Sequence, residues 1–307
     1  MIYRPFGKLN WEISCVAMGT WNIGNQWGEV DEKTALDAIT TALDGGVNLF
    51  DTAEGYGIPN GLSEERLAKA LGARSNEVFI ASKIGMYGRA SGFPTRTDNP
   101  MSIRNSAHAS LHRLRRDHHD ILFCHEPNPE HPDAYLEAFE MLKKEGRLRL
   151  SGVSTDRLDV IKKFNQDGQC DVVEIDYSIL QPEHEAELIP YCQDHQIAIL
   201  VRGALHKGLL SGKYDKDSVF EGIRHGWNKG QKCRSVIEKH LDIVEALKEY
   251  YPEREDLIAA SLRYVASNPA APVALFGAKD SAQVLMNLKA GDRLLTEEET
   301  QTIRKLT

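Results

Sequence analysis

Short apolar runs alternate along this chain with segments whose apolar residues recur at helical spacing. Cys15-Val16-Ala17-Met18-Gly19-Thr20 is the first continuous apolar run, and a small hairpin is expected before it, between residues 4 and 14. Asp31 then precedes Ala35, Leu36, Ile39, Ala42 and Leu43, a spacing that predicts a helix capped by that acid and stopped by Gly45-Gly46. Residues 47–51 make the next apolar run. The pattern then repeats, with strands expected at 78–83, 121–125, 148–153, 172–176, 197–201 and 273–276. Helices are expected between them at 63–71, 101–114, 132–144, 158–164 and 183–195. Beyond a long polar loop, two more helices are expected near 235–249 and 256–267, and others close the chain, where Thr296 and Glu299 have capping-box spacing.

Runs that are apolar on both faces and joined by helical crossovers indicate an all-parallel sheet. Eight such units, with no break in composition, predict a single domain over residues 1–307. Its class is α/β: a closed (β/α)8 TIM barrel with an N-terminal β-hairpin and extra C-terminal helices. No G-x-G-x-x-G follows a strand, which removes the Rossmann fingerprint. Hydrophobic residues at 41% and charged residues at 27% suit a globular chain with a sizeable core. The formal charge of -8 argues against nucleic acid or an anionic membrane as partner. No apolar run is long enough to cross a bilayer, and Met1-Ile2-Tyr3-Arg4-Pro5 has no signal-peptide character. Cys15, Cys124, Cys170, Cys192 and Cys233 are scattered and never form C-x-x-C, which points to reduced thiols in a cytoplasmic protein.

In a barrel, the loops that follow the strands gather on one face, so polar residues ending different strands meet there. Asp51 ends the second expected strand, Lys83 the third and His125 the fourth, and Tyr56 lies in the loop just beyond Asp51. The types are chemically coherent. A tyrosine is a poor proton donor near neutrality, and an adjacent ammonium stabilises its phenolate. A carboxylate holds the lysine charged and oriented, and a histidine can fix a substrate oxygen by a hydrogen bond. Such a set exchanges a proton with an oxygen on a carbon that exchanges something else, such as hydride.

These residues stand in Asn48-Leu49-Phe50-Asp51-Thr52-Ala53-Glu54-Gly55-Tyr56-Gly57, Ala81-Ser82-Lys83 and Cys124-His125-Glu126. Further segments are Gly19-Thr20-Trp21, Gly152-Val153-Ser154, Gly208-Leu209-Leu210-Ser211-Gly212-Lys213-Tyr214 and Gly277-Ala278-Lys279 with Gln283 and Asn287. In this order the chain resembles the aldo-keto reductases, bacterial-type members in particular, over nearly its whole length. The resemblance implies NAD(P)-dependent reduction of an aldehyde or ketone, or the reverse oxidation, without metal. Hydride would reach the carbonyl carbon while Tyr56 supplies the proton. Lys83 would lower the Tyr56 pKa, Asp51 would anchor Lys83, and His125 would orient the carbonyl. Trp21, Tyr56 and His125 would therefore contact substrate.

The resemblance also assigns cofactor positions. Thr20, Trp21 and Asp51 would line the nicotinamide end, and Ser154, Thr155 and Glu174 occupy the carboxamide-binding positions. Arg202 would lie against the nicotinamide face. Gly203, Ala204, Leu205, His206, Lys207 and Lys213 would carry the pyrophosphate, largely through backbone N–H groups, and Gly277, Lys279, Gln283 and Asn287 would hold the adenosine half. Thr155, Glu174, Ser178, Arg202 and Met286 depart from the residues usual in the family. Glu174 replaces a usual Gln, and an ionised Glu only accepts hydrogen bonds. Lys279 and Lys207 are available to a 2′-phosphate, which favours NADP(H) over NAD(H).

Long loops on the same face should shape the substrate pocket. Trp21, Trp27, residues 87–99 and residues 218–233 with Trp227 would wall it, while Asn22, Asn25 and Arg89 are candidates for binding hydroxyls or an anion. A sugar or other small polar carbonyl is the expected substrate. His112-Arg113-Leu114-Arg115-Arg116 reads as a solvated helix end, and His118 and His119 should lie at the barrel end opposite His125, so no metal site is expected. Two other readings stay open: a cofactor-sensing regulatory subunit of the potassium-channel β type with weak turnover, and sugar epimerisation through a transient ketone. The oligomeric state is left open.

Overall fold

A computed structural model of the chain describes residues 1–89 and 92–307. Tyr3–Phe6 (β1) and Trp11–Ser14 (β2) pair antiparallel as the expected hairpin. Eight parallel strands then close on themselves: Val16–Gly19 (β3), Leu49–Asp51 (β4), Phe79–Ile84 (β5), His119–Cys124 (β6), Leu148–Ser154 (β7), Val172–Asp176 (β8), Ala198–Arg202 (β9) and Val273–Gly277 (β10). The seam is the parallel pairing of β10 with β3, where Ala274 faces Val16.

The helices between them are Glu32–Asp44 (α1), Leu62–Leu71 (α2), Pro100–Leu114 (α3), Pro132–Lys144 (α4), Leu158–Phe164 (α5) and Leu188–Asp194 (α6). After β9 come Arg234–Tyr250 (α7) and Arg254–Ala266 (α8), and Ser281–Leu288 (α9) and Glu297–Arg304 (α10) end the chain. Asp31 caps α1 by accepting from the Thr34 N–H, and Thr296 with Glu299 forms a complete capping box on α10.

Apolar side chains separate into two cores. Ala17, Leu49, Ala81, Ile121, Phe123, Leu150, Val172, Leu200, Val273 and Leu275 fill the barrel interior, joined from below by Phe6 and Ile13 of the hairpin. The hairpin therefore plugs the end at which the strands begin, and Trp11 stacks on Phe79 with ring centroids 4.5 Å apart. The opposite strand faces pack against the helices in a larger shell. Two expected elements differ in extent. The strand expected over 47–51 begins only at Leu49, because Val47 N–H closes the exit of α1 on Ala42 and the Asn48 side chain bonds Ser14 and Glu12 of the hairpin. The helix expected over 183–195 is a 3-10 turn, Glu183–Glu185, followed by α6. Pro190 explains the break: its ring cannot follow a continuous helix, so α6 restarts where Pro190 falls in the first turn.

Among the described residues no helix is long and apolar enough to cross a membrane. The five cysteines are unpaired, and all but Cys233 are buried.

Candidate active site

Side chains on a strand alternate between its two faces, so a residue two beyond an interior position points inward one layer higher. Applied to the interior residues Ala17, Leu49, Ala81, Phe123, Val172, Leu200 and Leu275, this spacing selects Gly19, Asp51, Lys83, His125, Glu174, Arg202 and Gly277. That top layer opens into a cleft of about 1030 Å³ across the barrel mouth, with Lys83 sealed beneath it.

Lys83 is fully buried and sits at the centre of the layer. Its Nζ donates to both Asp51 carboxylate oxygens, at 2.6 and 2.5 Å, to the Thr52 carbonyl at 3.1 Å and to Tyr56 Oη at 3.3 Å. Glu174 Oε2 lies 3.2 Å from the same ammonium, outside good hydrogen-bond geometry. Burial works against the Lys83 charge, but Asp51, then Glu174 and Tyr56, more than offset this and hold the ammonium above its ordinary range. Asp51 is pushed well above the usual carboxylate range by burial and by Glu174, against the pull of Lys83. Burial likewise raises the Tyr56 phenol. Lys83 pulls it down, as expected from the sequence, but burial is the larger effect and both carboxylates add to it. His125 faces Tyr56 edge-on at 5.5 Å, and burial, then Lys83, Arg202 and Arg89, hold its imidazole neutral.

The remaining expected residues divide. Trp21 stacks on Tyr56 at 5.7 Å and meets Trp27 edge-on at 5.0 Å, which gives the cleft an aromatic wall. Ser154, Glu174, Arg202, Gly203, Ala204 and Leu205 line the cleft, as do His206, Lys207, Lys213, Gly277, Lys279, Gln283 and Asn287. Thr20 and Thr155 do not. The Thr20 hydroxyl donates to the Asp51 carbonyl at 2.9 Å, and the Thr155 hydroxyl donates to the Pro127 carbonyl at 2.6 Å, so each braces backbone behind the wall. Of the candidate pocket residues, Asn22, Arg89 and Trp227 line the cleft, whereas Asn25 accepts from the Val30 N–H inside its own loop. The expected pocket segment 87–99 includes residues 90 and 91, which lie outside the described residues. His119 starts β6, where its Nε2 contacts the Ala107 carbonyl at 3.0 Å, at the barrel end remote from His125.

Asp156, Asp176 and Arg224 were not singled out in the sequence. Arg202 is clamped by Asp176 at 2.9 Å and Asp156 at 2.5 Å, so its guanidinium is fixed by two carboxylates. Gly203, with φ +72°, lets Asp176 approach closely: a Cβ there would meet Asp176 Oδ1 at 2.1 Å. Asp176 ends β8, so the strand-end rule that selects Asp51 selects it too. Arg224 is the third. Its guanidinium lies 4.9 Å from the Trp27 ring and 5.6 Å from Tyr214, and its Nε donates to the Lys207 carbonyl at 2.8 Å. It ties the loop after β9 to the loop after β3, and no local pattern marks it.

A parallel barrel with a lysine–tyrosine–histidine constellation at the carboxyl ends of its strands, opening on a long cleft with cations at its far end, defines a cofactor-dependent oxidoreductase class. Residues 16–307 match the aldo/keto reductase family, and the chain belongs to that family of oxidoreductases acting on carbonyls and alcohols. It is 32% identical over 292 residues to the aldo-keto reductase YhdN of Bacillus subtilis, covering 92% of this chain and 87% of that one. It is 32% identical over 265 residues to the NADH-specific methylglyoxal reductase of Escherichia coli, covering 81% and 79%. Among solved structures, a glycerol dehydrogenase of Gluconobacter oxydans superposes with a TM-score of 0.87 at 29% identity, over 99% of this chain and 94% of that chain.

Proposed function

We propose that this chain reduces a small polar aldehyde or ketone to the alcohol, and runs the reverse oxidation, with Tyr56 as general acid and base. The observation that carries this reading is the Lys83 ammonium, buried, held by Asp51 and 3.3 Å from the Tyr56 hydroxyl at the mouth of the cleft. Tyr56 gives its proton to the carbonyl oxygen, and Lys83 stabilises the phenolate left behind. Asp51 keeps Lys83 charged and aimed. His125, neutral, donates a hydrogen bond to the same oxygen and orients it. Trp21 and Trp27 supply an apolar wall, and Asn22, Gln26, Asn60 and Arg89 supply polar contacts that suit a hydroxylated substrate such as a small sugar. The relatives named for methylglyoxal and glycerol support that substrate class.

The cleft fits a nicotinamide dinucleotide. Its volume of about 1030 Å³ suits an extended cofactor with substrate, and Glu174 Oε2 and Asp176 Oδ1 are buried oxygens without a hydrogen-bond partner on residues that line it. When bound, the cofactor supplies or takes up the hydride. Glu174 and Ser154 would accept from and donate to its carboxamide, and Lys207, Lys213 and Arg224 would neutralise its pyrophosphate. Lys279, Gln283 and Asn287 would hold the adenosine half; here Gln283 is itself steadied by Asp280 at 2.6 Å and by the Lys279 N–H at 3.2 Å. The cations Lys207, Lys213, Arg224 and Lys279 exceed what a pyrophosphate alone neutralises, which favours NADP(H) over NAD(H). Residues 1–307 would work as one cytoplasmic domain.

Consumption of NADPH and NADH across a panel of aldehydes and small sugars, with Tyr56→Phe as control, tests this. Tyr56→Phe should lower kcat by about 10²–10⁴-fold while cofactor affinity, read by fluorescence titration, stays within about threefold. Unaltered turnover in the variant would sink the proton-donor role.

A further inference from the structure

Lys83 has two buried acid partners, not one. Asp51 chelates it from β4, and Glu174 approaches from β8 on the opposite wall, 1% exposed, with Oε2 3.2 Å from Nζ. The Ser154 hydroxyl donates to Glu174 Oε1 at 3.4 Å, and the Glu174 carboxyl also lies within hydrogen-bonding reach of the Asp51 carboxyl. The charge count runs around the layer, to which β7 brings only the neutral Ser154. Asp51 comes from β4, Tyr56 from the loop beyond it, Lys83 from β5, His125 from the end of β6, Glu174 from β8 and Arg202 from β9, while Gly19 and Gly277 of β3 and β10 bring no charge. His125 is held neutral by burial and by Lys83, Arg202 and Arg89. Arg202 acts on Glu174 only from a distance, because its guanidinium is held by Asp156 and Asp176. One buried ammonium therefore faces two buried carboxyl groups at the floor of the cleft. Two carboxylates brought against one ammonium resist both being ionised.

We propose that Glu174 is a positioning residue that shares one proton with Asp51 around Lys83, and that the charge left when this proton departs keeps Tyr56 protonated into the alkaline range. The consequence is directional. A site whose tyrosine keeps its proton favours donation to a carbonyl oxygen across a wide pH range, whereas a lysine with a single carboxylate would release the phenol earlier. The upward push that burial gives Asp51, reinforced by Glu174, agrees with this. The consequence for catalysis rests on the reading of Tyr56 as the acid; the shared proton does not.

Glu174→Gln keeps the shape of the side chain and removes its charge. Buried Glu54 and Glu64 also hold their protons high, so the label is restricted: in cofactor-free protein carrying 13C-labelled Asp alone, the labelled C=O stretch of a protonated acid seen by infrared spectroscopy near neutral pH in wild type should weaken in Glu174→Gln. Thermal stability gives a second reading. A shared proton is bound by the folded chain and released by the unfolded one, so wild-type stability falls as pH rises through the pair's titration. The Tm advantage of Glu174→Gln over wild type should then grow from pH 5.5 to pH 8.5 (chosen as roughly a unit and a half to either side of neutrality). In the loaded enzyme, the alkaline fall of kcat/KM for reduction should move down by about one pH unit in Glu174→Gln. Tyr56→Phe separates the two ideas. If it keeps full turnover, the acid–base reading fails, and the infrared and Tm results still decide the shared proton. If Tyr56→Phe is inactive while Glu174→Gln leaves the acid band, the Tm difference and the pH profile unmoved, the role of Glu174 is overturned and the reading of Tyr56 stands.

Discussion

The two ends of the cleft are built with opposite charge. At the barrel mouth Asp51, Glu174, Asp156 and Asp176 surround the cations Lys83 and Arg202, each within direct ion-pair contact. At the far end Lys207, Lys213, Arg224 and Lys279 line the same cleft, and Lys279 donates to the Trp27 carbonyl instead of to a carboxylate. Burial and then its neighbours Arg224 and Lys213 weaken the hold of Lys279 on its proton, the signature of like charges converging on one space. The whole-chain charge of -8 hides this polarity. At the mouth the charges are close-packed and in carboxylate excess, with Lys83, Asp51 and Glu174 buried, so there they bear on where protons sit. At the far end they are more open and in cationic excess, so they suit a passing anion. One groove thus carries two electrostatic environments, acidic at the mouth and basic at the far end.

Removing the central cation should break the acidic end most severely. Lys83→Met preserves much of the side-chain volume but leaves Asp51 and Glu174 buried without a counter-charge. A buried pair that loses one partner typically costs about 3–5 kcal/mol, and here two acids are stranded. Urea denaturation at neutral pH should show a loss of that order, together with loss of turnover, while acidification that protonates the stranded acids restores part of the stability. Equal stability of variant and wild type at neutral pH would mean that water reaches this layer.

Glu54 sharpens the comparison just outside the layer. Its Oε1 accepts from the Gly85 N–H at 2.6 Å and from the Tyr87 N–H at 3.3 Å, which pins the loop leaving β5 along the cleft. Burial pushes its carboxyl up to about 7, against those hydrogen bonds, from an ordinary value of 4.5. The folded chain thus holds this proton in a range where the unfolded chain releases it, and stability falls as pH rises from about 4.5 through about 7. Glu54→Gln keeps the accepting oxygen and removes the titration. It should match wild type near pH 4 and exceed it above pH 7 by up to about 3 kcal/mol, read from denaturation curves across the range. A difference independent of pH would assign the effect to packing instead.

The barrel was legible because its strands are apolar on both faces, and strand-end reasoning singled out Asp51, Lys83 and His125 without any contact information. Glu174 was visible as a residue but not as a partner of Lys83. That contact crosses the barrel from β8 to β5, and only closure of the sheet brings those walls together. The alternation of interior positions supplies the missing signal, since Glu174 stands two beyond Val172 as Lys83 stands two beyond Ala81. The break ahead of α6 was legible in principle from Pro190, yet the helical spacing of residues 183–195 masked it. Arg224 had no such signal. Its partners Trp27 and Tyr214 come from separate loops, and no periodicity encodes a contact between loops.

The basic end gives the mildest and most discriminating comparison. Arg224 follows β9 and Lys279 follows β10, and both contact the Trp27 loop. Each exposed charge contributes modestly and is screened by salt, so Arg224→Gln and Lys279→Gln should each raise cofactor KM by about tenfold at low ionic strength, with a smaller change in kcat. The tenfold change corresponds to about 1.4 kcal/mol, well below the cost of stranding buried acids at the other end. Comparing NADPH with NADH separates the ligands' charges. If Lys279→Gln weakens NADPH alone, its ammonium serves the 2′-phosphate; if both cofactors weaken equally, it serves the pyrophosphate with Arg224, and the preference for NADP(H) loses its basis. A fall in kcat with affinity intact would contradict the division itself, because it would make the basic end part of the chemistry.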